Sequence, residues 1–552
     1  MIYVALFGWP VVVAILFSRQ DVPRATAAAI LGGYLLLPHG VGYNLPVLPT
    51  YNKNFAASLS AIIAITLIAG SRRPNRAKTD VTGEAFLLPG WIPHSKIVLL
   101  GLAMIVVGSF ATALTNTSSL NEGGRILRGL SIYDAGSMVL SAGVALLPFL
   151  LGRRVFAMPH LQRLLLAAFA IAAALYGILA LYEIRMSPQL SRQVYGFFPH
   201  SWTQHVRGGG YRPVVFLQHA LWLAIFLAMG FLASLSLALR NTRHRTMWFS
   251  ISLLLLLTLI LGKSLGAFML ALAFGAALLF GGAVRIPLII SAATASLVLV
   301  YPMMRGADLV PINSFVSKFE SIDATRASSF SFRLRNEDML LEKANQKPLF
   351  GWGGYARARV YDQEGRDLSV TDGEWVITIG EVGWIGYLGK FGLLCLPIVA
   401  LFRHRKTWNI GPETVGLCAM LSINLIDLIP NATLTPLTWL IAGALVGRVE
   451  VGAVEDQAPK SQERERNGMR APSLDLGAAA RETRPRTGIP RSGSVTARQL
   501  PRETAAETEP TTETPALDDQ EAENRYTRQT RLHVRRRPDT AAAPKTNRKA
   551  PS

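Results

Sequence analysis

Cysteine is nearly absent. The 552 residues contain two, Cys395 and Cys418, both inside apolar runs. That excludes a disulfide framework and a thiolate metal cluster. Charge is scarce in the long apolar runs Ile97–Leu114, Leu164–Leu181, Val214–Leu239 and Leu253–Leu261. About 20 mostly apolar residues suffice for a helix to cross a bilayer core, so these runs exclude a water-soluble fold. The apolar/polar alternation of a membrane β-barrel is missing as well. No basic stretch and no small-residue cleavage site accompany MIYVALFGWPVVVAILFSR, which reads as a retained first helix. No internal repeat is visible, so inverted-repeat transporter architecture has no support. Acidic residues are outnumbered 36 to 56 by Lys and Arg, giving a net charge of +20. The basic residues cluster in short loops beside apolar runs, the pattern of a membrane protein's cytoplasmic face rather than a nucleic-acid surface.

What is present is an all-α polytopic membrane protein with about thirteen spans. They are expected near 2–18, 24–38, 54–70, 96–115, 135–151, 162–182, 214–239, 247–262, 265–282, 286–304, 377–402, 413–430 and 433–447. Arg19 and Arg24, SRRPNRAK at 71–78, Arg153 and Arg154, RNTRHR at 240–245, Arg285, RHRK at 403–406 and Arg448 fall on one side if the spans alternate. That side is then cytoplasmic, with the N-terminus outside and the C-terminus inside. The transmembrane domain covers 1–449 and carries one large extracytoplasmic loop, 305–376. From 450 to 552 the composition turns to Pro, Thr, Ala, Arg and Glu. Such a tail buries too little apolar surface to order itself, and it reads as a disordered cytoplasmic segment. RLHVRRRP near its end could touch anionic lipid, but a merely solubilising tail is the favoured reading.

The large loop contains KPLFGWGGYARARV, a glycine-rich stretch foreign to its apolar surroundings. Before it, SFSFRLRNEDMLLEK reads as an amphipathic helix over 331–343. Phe332, Met339 and Lys343 share one face, and Arg333 and Glu337 are placed to pair as i,i+4 neighbours. After it, TDGEW sets Asp372 and Glu374 just ahead of the next span. Earlier, VRGGGYRPVVFLQHALWLAIF places Arg207, Tyr211 and Arg212 before a helix that Pro213 is expected to open. Helix N-terminal N–H groups with two arginines suit a phosphate. His219 then lies about two turns into that helix. GKS at 262–264 is no P-loop, because Leu257 stands where the pattern needs glycine. Lys263 either snorkels to the interface or faces an anionic substrate.

Together these stretches resemble the O-antigen ligase/polymerase superfamily of bacterial envelope proteins. The resemblance rests on Ser331 and Arg333, then PLFGWGGY, TDGEW and IGEVGWIGYLGKFG, with RGGGYRPVVFLQH as the earlier Arg-Gly-Pro motif. Lys263-Ser264 stands where the family has a Ser-Arg pair. It covers about 200–449 and implies a glycosyltransferase-C-like helical fold in the bacterial inner membrane. It further implies glycan transfer from an undecaprenyl-diphosphate-linked donor to a glycan acceptor, with no metal and no cofactor. Arg212 and Arg333, with Arg207 and Lys263, would neutralise the leaving diphosphate. His219, Asp372 and Glu374 are the candidate bases, and Arg335 and Tyr211 are further candidate substrate contacts. Ligases of the family carry a loop histidine where this chain has TDGEW, so exopolysaccharide or O-antigen polymerisation is expected over lipopolysaccharide ligation. Other polysaccharide-assembly proteins are possible partners. A transporter or flippase of lipid-linked glycan and a scaffold of an envelope assembly complex are the competing readings. The turn at 348–354 is expected to fold the loop back and bring Arg333 against the helix that follows Arg212.

Overall fold

The computed structural model describes residues 2–457 apart from 45–48, 72–86, 208, 241–242, 283, 308 and 310–323. Most of SRRPNRAK, part of RNTRHR and the tail beyond Gln457, RLHVRRRP included, lie outside the described residues. What is described belongs to one unit of the chain.

Helices α1–α6 span Ile2–Arg19, Val22–Leu36, Lys53–Ser71, Lys96–Leu114, Ile132–Val155 and Pro159–Met186. A short α7, Leu190–Tyr195, precedes α8 (Ala220–Ala238), α9 (Arg245–Leu261), α10 (Leu265–Phe280) and α11 (Arg285–Gly306). The loop helix α12 is Ala324–Asn345. It is followed by α13 (Glu374–Arg403), α14 (Pro412–Asp427) and α15 (Pro436–Gln457). Each of the thirteen predicted spans is a helix. Eight of the helices, α1, α4, α5, α6, α8, α11, α13 and α15, are long and apolar enough to cross a membrane. By length and composition the chain is a mostly helical, multi-pass membrane protein. Three two-stranded hairpins decorate the loops: β1–β2 (Gly42–Tyr43, Tyr51–Asn52), β3–β4 (Leu120–Glu122, Arg125–Leu127) and β5–β6 (Val206–Arg207, Gly210–Tyr211).

The bundle is organised around α8. Seventeen of its nineteen residues are buried, so it is apolar on every face, as a central helix must be. It packs against α6, α9, α10 and α14. Helices α5 and α15 run closest together. A Cβ on Gly152 would lie 2.0 Å from the Leu440 carbonyl oxygen, and one on Gly443 would lie 1.9 Å from that of Phe149. Small residues allow such approach, which is how membrane helices gain packing contacts.

Two boundaries differ from expectation. Helix α8 begins at Ala220 rather than at Pro213, because the N–H groups of Val214 and Val215 both donate to Glu183 Oε2, at 2.7 Å each. The chain there wraps a buried carboxylate instead of winding. Helix α15 continues to Gln457, past the expected end of the ordered domain at 449. Its last turns are held by Glu450, whose Oε2 accepts from Arg153 Nε at 2.8 Å. Glu450 Oε1 takes the N–H groups of His94 and Ser95 at the start of α4.

The glycine-rich stretch finds its purpose at α13, which is broken at Gly383 (φ 64°, ψ −169°). Lys390 forms an ion pair with Glu374 and lies 3.2 Å from Thr378 Oγ1. A straight helix would hold residues sixteen positions apart by about 24 Å, so the two halves fold sharply on each other. The break frees backbone groups, and PLFGWGG satisfies them. Trp352 and Gly353 N–H donate to the Gly380 and Glu381 carbonyls at 2.8 Å, and Trp384 N–H donates to the Pro348 carbonyl at 2.8 Å. Both partners need glycine. Gly351 and Gly383 have φ of 67° and 64°, and a Cβ on either would fall within 2.7 Å of the opposing backbone. Thr112 Oγ1 and Asn116 Nδ2 of the α4 end then hold the carbonyls of Phe350 and Gly351, at 2.6 and 3.0 Å.

Candidate functional site

With the loop seated in this way, α12 lies beside the end of the bundle where α8 and α10 begin and α14 ends. A cleft of about 540 Å³ opens there. Arg212 enters from the segment after β6, Lys263 from the turn between α9 and α10, and Arg333 from α12. Lys263 is held in a left-handed backbone conformation, φ 53°, which swings its side chain over Gly210. Arg212 is buried, with Nη2 3.5 Å from Ser264 Oγ. Arg333 Nη1 donates to Asn431 Oδ1 at 2.8 Å and to the Pro430 carbonyl at 3.3 Å. The same cleft is lined by the apolar Leu221, Ala224, Met269, Leu270 and Ile426, and by Asp427 and Asn431. The cleft therefore combines three cations and one carboxylate with apolar walls, a lining suited to an amphiphile with an anionic head.

Arg333 is also the partition to a second cavity of about 140 Å³, lined by Tyr301, Glu337, Asp372 and Val376. Asp372 Oδ2 stands 3.5 Å from Arg333 Nε and is partly exposed. Glu337 accepts from the Tyr301 hydroxyl at 3.0 Å and faces Arg305 Nε at 3.4 Å. Burial raises the Glu337 carboxyl to about 7, against the opposing pull of Tyr301 and Arg305.

The sequence-predicted residues divide into those the fold brings together and those it separates. Arg212, Lys263, Arg333 and Asp372 meet around the Arg333 partition. Arg333 does not pair with Glu337 as their i,i+4 spacing suggests, because Asn431 and Asp372 compete for one and Tyr301 and Arg305 for the other. Phe332, Met339 and Lys343 share one face of α12, as their spacing predicts. That face changes along its length: Phe332 is exposed, whereas Lys343 is buried against Glu122 and Trp352. Glu374 is neutralised by Lys390 and lines neither cavity. Arg335 is exposed on the outer side of α12, and Tyr211 packs toward Trp202 with ring centroids 6.3 Å apart. The backbone of Arg207 pairs in β5, and its side chain lies outside the described residues.

His219 is not two turns into a helix. It is the N-cap of α8, and its Nδ1 accepts from Leu221 N–H at 3.1 Å. Burial first, and Arg212 next, lower its pKa to about 3; the same two causes lower His205 to about 4. With Nδ1 accepting, the neutral His219 ring carries its proton on Nε2. Neither ring nitrogen of His219 then offers a free lone pair, whereas the Asp372 carboxylate is partly exposed.

Several residues escaped sequence reasoning. Asn431 and Asp427 fix Arg333, with Asn431 Nδ2 donating to Asp427 Oδ1 at 2.8 Å and Thr433 Oγ1 to Oδ2 at 2.5 Å. Their signal was an aspartate closing an apolar span in LIDLIPNATLTP. Lys390 was legible in the same way. No family model and no curated protein matches the chain.

Proposed function

We propose that this protein transfers glycan from a polyprenyl-diphosphate-linked donor to a glycan acceptor at the outer face of the bacterial cytoplasmic membrane. Polymerisation of an exopolysaccharide or O-antigen is the favoured form. The observation that carries the reading is the convergence of Arg212, Lys263 and Arg333 on one cleft with apolar walls. A prenyl diphosphate has that polarity: an anionic head and a hydrocarbon tail. In this reading thirteen spans form a glycosyltransferase-C-like bundle with the N-terminus outside and the C-terminal tail in the cytoplasm.

The chemistry follows from the charges. The acceptor hydroxyl attacks the anomeric carbon as the bond to the diphosphate oxygen breaks. Arg212, Arg333 and Lys263 neutralise the charge that develops on the leaving group. Asp372 takes the hydroxyl proton, from the opposite side of Arg333. Arg333 thereby orients both partners, with the donor in the larger cavity and the acceptor in the smaller.

The alternative, movement of a lipid-linked glycan across the bilayer, draws on the Lys390–Glu374 ion pair within the broken helix α13. Complementation of a deletion strain separates the two. Wild type and Arg333→Ala are compared at equal membrane expression, reading glycan length on gels and lipid-linked units by mass spectrometry. Transfer predicts short glycan and lipid-linked units accumulated on the outer face. Accumulation on the inner face would favour transport, and unchanged glycan would remove Arg333 from the site.

A further inference from the structure

Three histidines that the cleft does not use converge beside it. His200 and His205 lie between α7 and β5, and His219 caps α8. One ring nitrogen of each comes within 4.8 Å of the others, and the ring centroids are 4.8, 4.9 and 5.7 Å apart. His205 is the anchor. Its residue is 0% exposed, yet neither Nδ1 nor Nε2 has a hydrogen-bond partner. Buried polar nitrogens are nearly always engaged, so this ring is placed for a group the chain itself does not supply. The frame around it is firm. Arg212 N–H donates to the His205 carbonyl at 2.8 Å, the β5–β6 hairpin closes between them, and Phe198 packs edge-on at 5.3 Å.

We propose that His200, His205 and His219 form a binding site for a transition-metal ion of the zinc, nickel or copper class. An all-imidazole set suits these ions and not magnesium, calcium or manganese, which prefer oxygen. Three histidines leave a fourth position for water or an oxyanion. The positive charge of Arg212 beside His205 and His219 works against a bare dication and so favours an anion in that fourth position.

The proton accounting is specific. His200 and His219 each accept a backbone N–H on Nδ1, from Ser201 at 2.8 Å and from Leu221 at 3.1 Å. Their neutral rings carry the proton on Nε2. A metal binding at Nε2 sends that proton to Nδ1, so both backbone contacts open and no net proton is released. Two local contacts, on the order of 1 kcal/mol each, are exchanged for three metal–nitrogen bonds. The second ring nitrogens then donate outward, as those of metal-bound imidazoles do. This site departs from the metal-free expectation drawn from the family resemblance, and it does not depend on the glycan-transfer reading.

The test uses full-length protein purified in detergent through a histidine-free tag, stripped with chelator and titrated with Co²⁺. The expected result is about one Co²⁺ per chain with the intense visible bands of a four-coordinate site. Zn²⁺ displaces it and Mg²⁺ does not. Affinity falls at least about tenfold in His205→Ala and in His200→Ala, and is unchanged in His160→Ala. His200 is exposed in its loop, so its variant keeps the fold. The proposal is overturned if wild type binds no more Co²⁺ than His205→Ala, or if His200→Ala binds as wild type does.

Discussion

Asn431 accepts from Arg333 through Oδ1 at 2.8 Å and donates to Asp427 through Nδ2 at 2.8 Å. One amide thus couples the loop helix to the end of α14, a buried helix of the bundle. Its orientation is fixed by having a donor on one side and a carboxylate on the other. Arg333→Lys keeps the charge but not the reach to both Asn431 and the Pro430 carbonyl. It is expected to lose polymer nearly as fully as Arg333→Ala, since a guanidinium fork is not replaced by a point charge. Asn431→Ala should lower turnover by about tenfold or more at normal membrane levels, because one hydrogen bond to a charged group contributes about 1.5–3 kcal/mol. On the glycan-transfer reading, transfer measured with detergent-purified protein and a synthetic prenyl-diphosphate donor decides both.

The helix break gives a paired test. Gly383→Ala places a Cβ 2.3 Å from the Leu349 carbonyl carbon at a positive φ. It should destabilise the protein by about 2–4 kcal/mol or prevent its recovery from detergent. Gly354→Ala, whose Cβ would meet nothing within 4 Å, should behave as wild type. Equal thermal stability of the two variants would mean that PLFGWGG does not plug the break.

Glu337 sets a pH dependence of defined sign. Its carboxyl is raised from 4.5 to about 7, by burial first. The folded state therefore favours the protonated form. That stabilisation is complete below the ordinary pKa and is lost as pH rises through about 7. Over this window wild type should lose on the order of 2–3 kcal/mol relative to Glu337→Gln. Thermal unfolding from about pH 5 to about pH 8 reads the difference. Parallel curves for the two proteins would show that Glu337 titrates normally.

The opposite end of the bundle depends on Glu450. Glu450→Ala leaves Arg153, which is 0% exposed, buried beside an empty acceptor. The expected cost is about 3–5 kcal/mol. A chain ending at Gln457 should keep wild-type stability, whereas one ending at Val449 should show the same loss as Glu450→Ala. Melting curves of the three in one detergent make the comparison. A stable chain ending at Val449 would relocate the domain boundary to where composition alone put it.

The helices were legible because hydropathy is a local property. Twenty apolar residues must enter the bilayer whatever their neighbours do, so Ile97–Leu114 or Leu164–Leu181 declares itself. Arg212, Lys263, Arg333 and Asp372 were legible as candidates because charges beside membrane helices are costly unless used. Their convergence was not legible, since it depends on where α12 lies across the bundle.

The sequence by itself determined a multi-helix membrane chain, its polar loop and the residue types available for chemistry. Tertiary structure decided which of them meet. Glu183 captured the N–H groups of Val214 and Val215 and moved the start of α8 to Ala220. Lys390 withdrew Glu374 from the site, and Asn431 rather than Glu337 took Arg333. Each outcome is a competition between partners distant in sequence for one charged or hydrogen-bonding group. In a low-dielectric interior such groups are costly to leave unmatched, so the winning partner is set by three-dimensional proximity, which no local pattern encodes.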